Sequence, residues 1–70
     1  GQGEDLIHTL SDREHQILRM IVVGSTVTEI GDQLNLSVKT ISTYRARVLE
    51  KLGLRTTAEL VRFAMDHHLI

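Results

Sequence analysis

Apolar residues recur at helical spacing in four successive stretches of the chain. Ile17, Leu18 and Ile21 share one face of a segment from about Asp12 to Val23, because residues three and four apart stack on one side of an α-helix. Val27, Ile30 and Leu34 do the same for a shorter segment, and Val38, Ile41, Val48, Leu49 and Leu52 for a longer one that ends near Leu52. Leu60, Val61 and Ala64 mark a final segment from Thr57 to about His67.

The polar residues between these stretches supply starts and stops. Ser11 to Glu14, Thr26 to Glu29 and Thr56 to Glu59 each fit the capping box, in which a hydroxyl accepts from one free amide and the Glu side chain accepts from another. Ser37 is a fourth N-cap residue. Gly24 and Gly53 stand where left-handed caps would end the first and third segments. Between the second and third lies Asn35-Leu36-Ser37, in which Asn tolerates the left-handed conformation of a tight turn. Two helices joined by so short a turn, inside a bundle of four, form the helix-turn-helix outline. Gly31 falls inside the second helix, where Gly costs roughly 1 kcal/mol against Ala. It is explained if the two helices cross sharply there; the alternative is a tolerated surface Gly.

Length and composition narrow the class. Seventy residues make at most one small domain, whose core supplies roughly 3–5 kcal/mol. Without Cys, disulfides and thiolate metal sites are excluded. No apolar run approaches the ~20 residues of a membrane span, and the N-terminus GQGEDLIH has no signal-peptide layout. The expectation is a cytoplasmic all-α module, with residues 1–9 as linker or leader and residues 10–70 as the domain. Charge adds more by segment than in total. Residues 1–38 carry −4, residues 39–55 carry +4 and residues 56–70 carry −1, so a formal total of −1 conceals a basic stretch. Such local patches, more than overall charge, set attraction to nucleic acid.

On a helical projection of the third segment, Lys39, Ser42, Thr43, Ala46, Arg47 and Glu50 gather opposite the apolar stripe, with Tyr44 at the stripe's edge. A solvent face is ordinarily filled with long, strong helix formers. Here Ser42, Thr43 and Ala46 are short, which lets the helix approach another surface closely. A DNA major groove about 12 Å wide admits such a helix, its hydroxyls pairing with base edges and its methyls meeting thymine. Lys39, Arg47 and Lys51 could then reach phosphates, contacts that position the helix without reading sequence. Arg45 lies between the faces and has two readings, a phosphate contact or a stem snorkelling along the core.

The stretches "LSDREHQILRMIVVG", "TEIGDQLNLSVKTISTYRARVLEKLGL" and "TAELVRFAMDHHLI" together resemble the C-terminal DNA-binding domain of the LuxR/FixJ family, in particular its NarL/FixJ-type response regulators. Leu10-Ser11, Arg13-Glu14, Gly24, Glu29-Ile30, Leu34, Leu36-Ser37, Thr40-Ile41, Thr43 and Lys51-Leu52 carry the likeness. The resemblance implies a four-helix domain whose third helix, about residues 38–52, is the recognition helix. It also implies sequence-specific binding to double-stranded DNA as a homodimer, often paired through the fourth helix, where Val61, Met65 and Leu69 lie near the edge of the apolar face. Matching family positions assign DNA contacts to Lys39, Ser42, Thr43, Ala46 and Arg47. Tyr44 stands where His is common and keeps an aromatic body with a polar tip, which makes it a further candidate for DNA contact, at a phosphate, and Gly31 stands where Ala is usual. The ending looks more like response regulators than autoinducer-binding regulators of the same family, so an upstream receiver domain is implied. Contact with RNA polymerase is a further role left open.

Other chemistries fit less well. His8, His15, His67 and His68 do not offer a closed zinc site, since His67 and His68 are adjacent and face different ways on a helix. A hydrolytic triad lacks room for a water-excluding pocket in so short a chain, and there is no Gly-rich phosphate loop; neither an enzyme nor a cofactor is expected. The remaining rival is a helical protein-interaction module using its basic face, which would be expected to expose large apolar or aromatic anchors there.

Overall fold

Helices begin in this chain where a hydroxyl closes on a backbone amide three residues ahead. The computed structural model describes residues 6–69 and is all-α over them, with α1 at Asp12–Val22, α2 at Val27–Leu34, α3 at Val38–Leu52 and α4 at Thr57–Asp66. Gly1 to Asp5 of the expected leader, and Ile70, lie outside the described residues. Ser11, Thr26 and Thr56 each accept from the amide of Glu14, Glu29 and Glu59, and each Glu side chain accepts from the cap residue's own amide, so all three boxes are formed. Ser37 caps α3 alone, accepting from the Thr40 amide at 3.1 Å. At the far ends, Gly24 (φ 105°) and Gly53 (φ 70°) adopt left-handed backbone that costs Gly nothing. The last helix stops one residue short of the expected limit, and His67 closes it by donating to Phe63 O at 3.0 Å.

The α2–α3 turn explains the glycine inside α2. Asn35 is left-handed (φ 58°), and the amides of Asn35 and Leu36 both donate to Gly31 O, the latter at 2.8 Å. That arrangement folds the Leu36 carbonyl back over α2, and a Cβ on Gly31 would stand 2.7 Å from Leu36 O. Gly31 is buried at this contact, so the close approach that its missing side chain allows is that of the turn's backbone.

Ile17 and Leu18 of α1, Ile30 of α2, Ile41 and Val48 of α3 and Leu60 of α4 are the largest fully buried side chains. Each is worth about 1.5–3 kcal/mol against exposure. The recognition helix candidate, α3, packs chiefly on α1 and α2, while α4 rests on α1. Val38 departs from the expected inward stripe: as the first residue of α3 it overhangs the end of the core and is 45% exposed. Ahead of α1, helical Leu6 and Ile7 run into a turn in which Thr9 and Leu10 donate to Leu6 O and Ile7 O, and Leu10 packs on the core.

Candidate nucleic-acid interface

The outward face of α3 follows from its inward one. Burial of Ile41, Val48 and Leu52 fixes the rotation of the helix, and Lys39, Thr43, Ala46, Arg47 and Glu50 then emerge exposed, with Ser42 half-buried beside them. Thr43 Oγ1 donates back to Lys39 O at 3.0 Å, the local bond that Thr makes inside helices. The Arg47 guanidinium carbon sits 5.8 Å from the ring centroid of Tyr44. Between Lys39 and Arg47 lies a shallow depression of about 260 Å³ that is also lined by Thr40, Thr43 and Tyr44. It offers two cations on one flank of the helix, a setting for a single anionic group, while the hydroxyls of Thr40 and Thr43 are engaged with Ser37 Oγ and Lys39 O.

Lys51 and Arg45 are placed apart from this set. Lys51 Nζ donates to Glu14 Oε1 at 2.7 Å and to Thr9 O at 3.2 Å, so its charge is spent on the start of α1. Arg45 Nη1 donates to Thr57 Oγ1 at 3.1 Å, on the first residue of α4, and its Nε is buried without a partner. Of its two readings from sequence, the structure adopts the stem laid along the body. Glu14, only 3% exposed, is a site neighbour that sequence reasoning did not single out. The Lys51 ammonium, then the Ser11 amide, hold its carboxyl below the usual carboxylate range against the opposing effect of burial. Its capping role was readable from spacing, but its tie to a lysine 37 positions away was not.

On α4, Met65 is 59% exposed and Val61 is half-buried; Leu69 lies beyond the helix, after left-handed His68, and packs partly against the core. His67 lies against Phe63, ring centroids 4.3 Å apart. Among the described residues no group of three or more His, Cys, Asp or Glu gathers to hold a metal, and no helix is long and apolar enough to cross a membrane.

A short turn between two packed helices, with the second carrying small side chains outward between cations, defines a helix-turn-helix domain. The model of the luxR family of bacterial regulatory proteins matches residues 8–64, and the chain belongs to that family. It is 46% identical over 61 residues to the transcriptional regulatory protein TdiR of Thauera aromatica, covering 87% of this chain and 27% of that protein. It is similar also to the response regulator UvrY of Escherichia coli, 48% identical over 61 residues with 87% and 28% coverage. The Fimbriae Z protein of Salmonella typhimurium is 44% identical over 61 residues with 87% and 29% coverage. The chain thus spans little more than a quarter of the length of these relatives. The family is one of bacterial regulatory proteins, and among these relatives TdiR is a transcriptional regulatory protein and UvrY a response regulator.

Proposed function

We propose that the domain binds double-stranded DNA sequence-specifically, with α3 lying in the major groove, as the output domain of a bacterial two-component response regulator. The observation that carries this reading is the outward face of α3, where exposed Thr43 and Ala46 and half-buried Ser42 lie between the exposed cations Lys39 and Arg47. Short side chains let backbone and base edges come within hydrogen-bonding reach. Lys39 and Arg47 set the register of the helix through phosphates, and their counterion release makes affinity strongly salt-dependent. Lys51 and Arg45, engaged within the domain, steady α3 and leave the phosphate contacts to Lys39 and Arg47.

The relatives, each several times longer, support a receiver domain elsewhere in the full-length protein and a place in the cytoplasm with the chromosome. Two copies on adjacent half-sites would pair through α4, where exposed Met65 lies one turn from half-buried Val61, with Leu69 just beyond the helix end. Selection of bound sequences from a random duplex pool tests the proposal and defines the site. A selected motif, bound at least tenfold more weakly by a Lys39→Ala/Arg47→Ala double variant, is the expected result. Equal affinity of that variant and the parent chain would overturn it.

A further inference from the structure

Arg47 and Tyr44 are one helical turn apart, and the guanidinium carbon lies 5.8 Å from the ring centroid, within the roughly 6 Å over which a cation is attracted to an aromatic face. The two members differ in freedom. Tyr44 is half-buried and packs against the core, so its ring is a fixed surface. Arg47 is exposed, on a long stem with many rotamers. Both line the depression that Lys39 closes from the other side. We propose that Tyr44 is a positioning residue for phosphate recognition: its ring holds the Arg47 guanidinium opposite Lys39, so that the depression between them is set to receive one backbone phosphate.

The inference rests on the proposed DNA binding and adds to it the group that arranges the contact. The ring, not the hydroxyl, does the holding, because the attraction comes from the negative face of the aromatic system. Phe at this position therefore keeps the device, and an aliphatic residue of similar bulk removes it while still filling the space beside the core.

Tyr44→Phe, Tyr44→Leu, Arg47→Ala, Lys39→Ala and the Tyr44→Leu/Arg47→Ala double variant of this chain are titrated with the duplex selected by the parent. All measurements are made at a temperature where thermal melts show each variant folded. Tyr44→Phe is expected to bind within about twofold of the parent. Tyr44→Leu is expected to lose about three- to fivefold, in keeping with a cation held on a partly exposed ring. Arg47→Ala flattens the dependence of log affinity on log salt by about 0.9, one phosphate contact. The double variant is expected to bind no more weakly than Arg47→Ala alone. In the DNA-free protein, the Arg47 δ-methylene proton resonances are shifted upfield by the ring in the parent and in Tyr44→Phe, and return to ordinary positions in Tyr44→Leu. Losses that multiply in the double variant, a Tyr44→Phe loss equal to that of Tyr44→Leu, or unshifted Arg47 resonances in the parent would each overturn the role of Tyr44. The parent's own titration reads the underlying proposal separately: absence of salt-dependent binding by the parent would remove DNA binding itself, whereas parent binding alongside any of those three results would remove only the ring's part.

Discussion

Glu14 Oε1 lies 2.7 Å from the ammonium of Lys51, joining the first turn of α1 to the last turn of α3 across 37 positions of sequence. The same oxygen accepts from the Ser11 amide at 2.8 Å, so one carboxylate both caps a helix and anchors another. Glu14 is 3% exposed while the Lys51 side chain keeps 39% of its surface in water, which makes the two partners unequal. Removing the lysine strands a buried carboxylate; removing the carboxylate leaves an ammonium that water can solvate. Lys51→Met is therefore expected to destabilise the domain by about 1–3 kcal/mol. Glu14→Gln, whose carbonyl still accepts from Ser11, is expected to cost less. Urea unfolding of both variants checks the order.

The pH dependence of stability follows from the same contact. Lys51 first, and Ser11 second, depress the Glu14 carboxyl in the folded chain below its ordinary value of 4.5. A group depressed on folding adds stability that is complete above its unfolded value and is lost as pH falls from there through the lower folded value. Thr26 acts in the same direction on Glu29, which is exposed and so adds less. Melting temperature is expected to be level with respect to these groups above pH 4.5 and to fall below it, and the gap between parent and Glu14→Gln is expected to narrow in that acid range. Thermal melts from about pH 3 to 7 measure both.

Gly31→Ala sets two effects against each other. Alanine recovers about 1 kcal/mol of helix propensity, but its Cβ would stand 2.7 Å from the Leu36 carbonyl oxygen, a backbone atom that itself belongs to the turn. Relieving such an overlap costs about 1–3 kcal/mol. The expected balance is a net loss on the order of 1 kcal/mol, seen as a fall in melting temperature of about 4–8 °C for a domain of this size. A melting temperature equal to or above the parent's would show that the turn opens without cost.

What sequence pattern conveyed here was whatever local interactions decide. The three capping boxes, the glycine stops and the left-handed Asn35 involve partners within a few residues, and all stand where spacing put them. The inward positions of α3 followed from its period except at Val38, because periodicity gives the direction of a side chain and not whether a neighbouring element covers it. Gly31 was readable as a close approach, but not that the approaching atom is Leu36 O. Arg45 and Lys51 show the same limit from the other side. Charge and helical face made them candidates for phosphate, and only the fold, which brings the first turns of α4 and α1 beside α3, supplied Thr57 and Glu14 as partners. Lys39 and Arg47, by contrast, project from the open face that the pattern had assigned them.

Thr43 offers the sharpest test of base preference in the proposed groove geometry. Its hydroxyl hydrogen is directed to Lys39 O at 3.0 Å, which leaves lone pairs and a methyl group for whatever approaches from outside. An acceptor in the major groove pairs with the amino group of adenine or cytosine, whereas the methyl meets the thymine methyl. Thr43→Val keeps the methyl and the shape but removes the acceptor. It is expected to relax a preference for adenine or cytosine at one position of the site by about 1–3 kcal/mol, while binding to duplexes already altered at that position stays nearly unchanged. Lys39→Ala, in contrast, lowers affinity for every duplex and reduces the salt slope by about 1. Titrations across a set of singly substituted duplexes separate the two patterns. A Thr43→Val variant that retains the parent's full preference would place base reading at that position on the methyl group or on Ser42 and Ala46 instead.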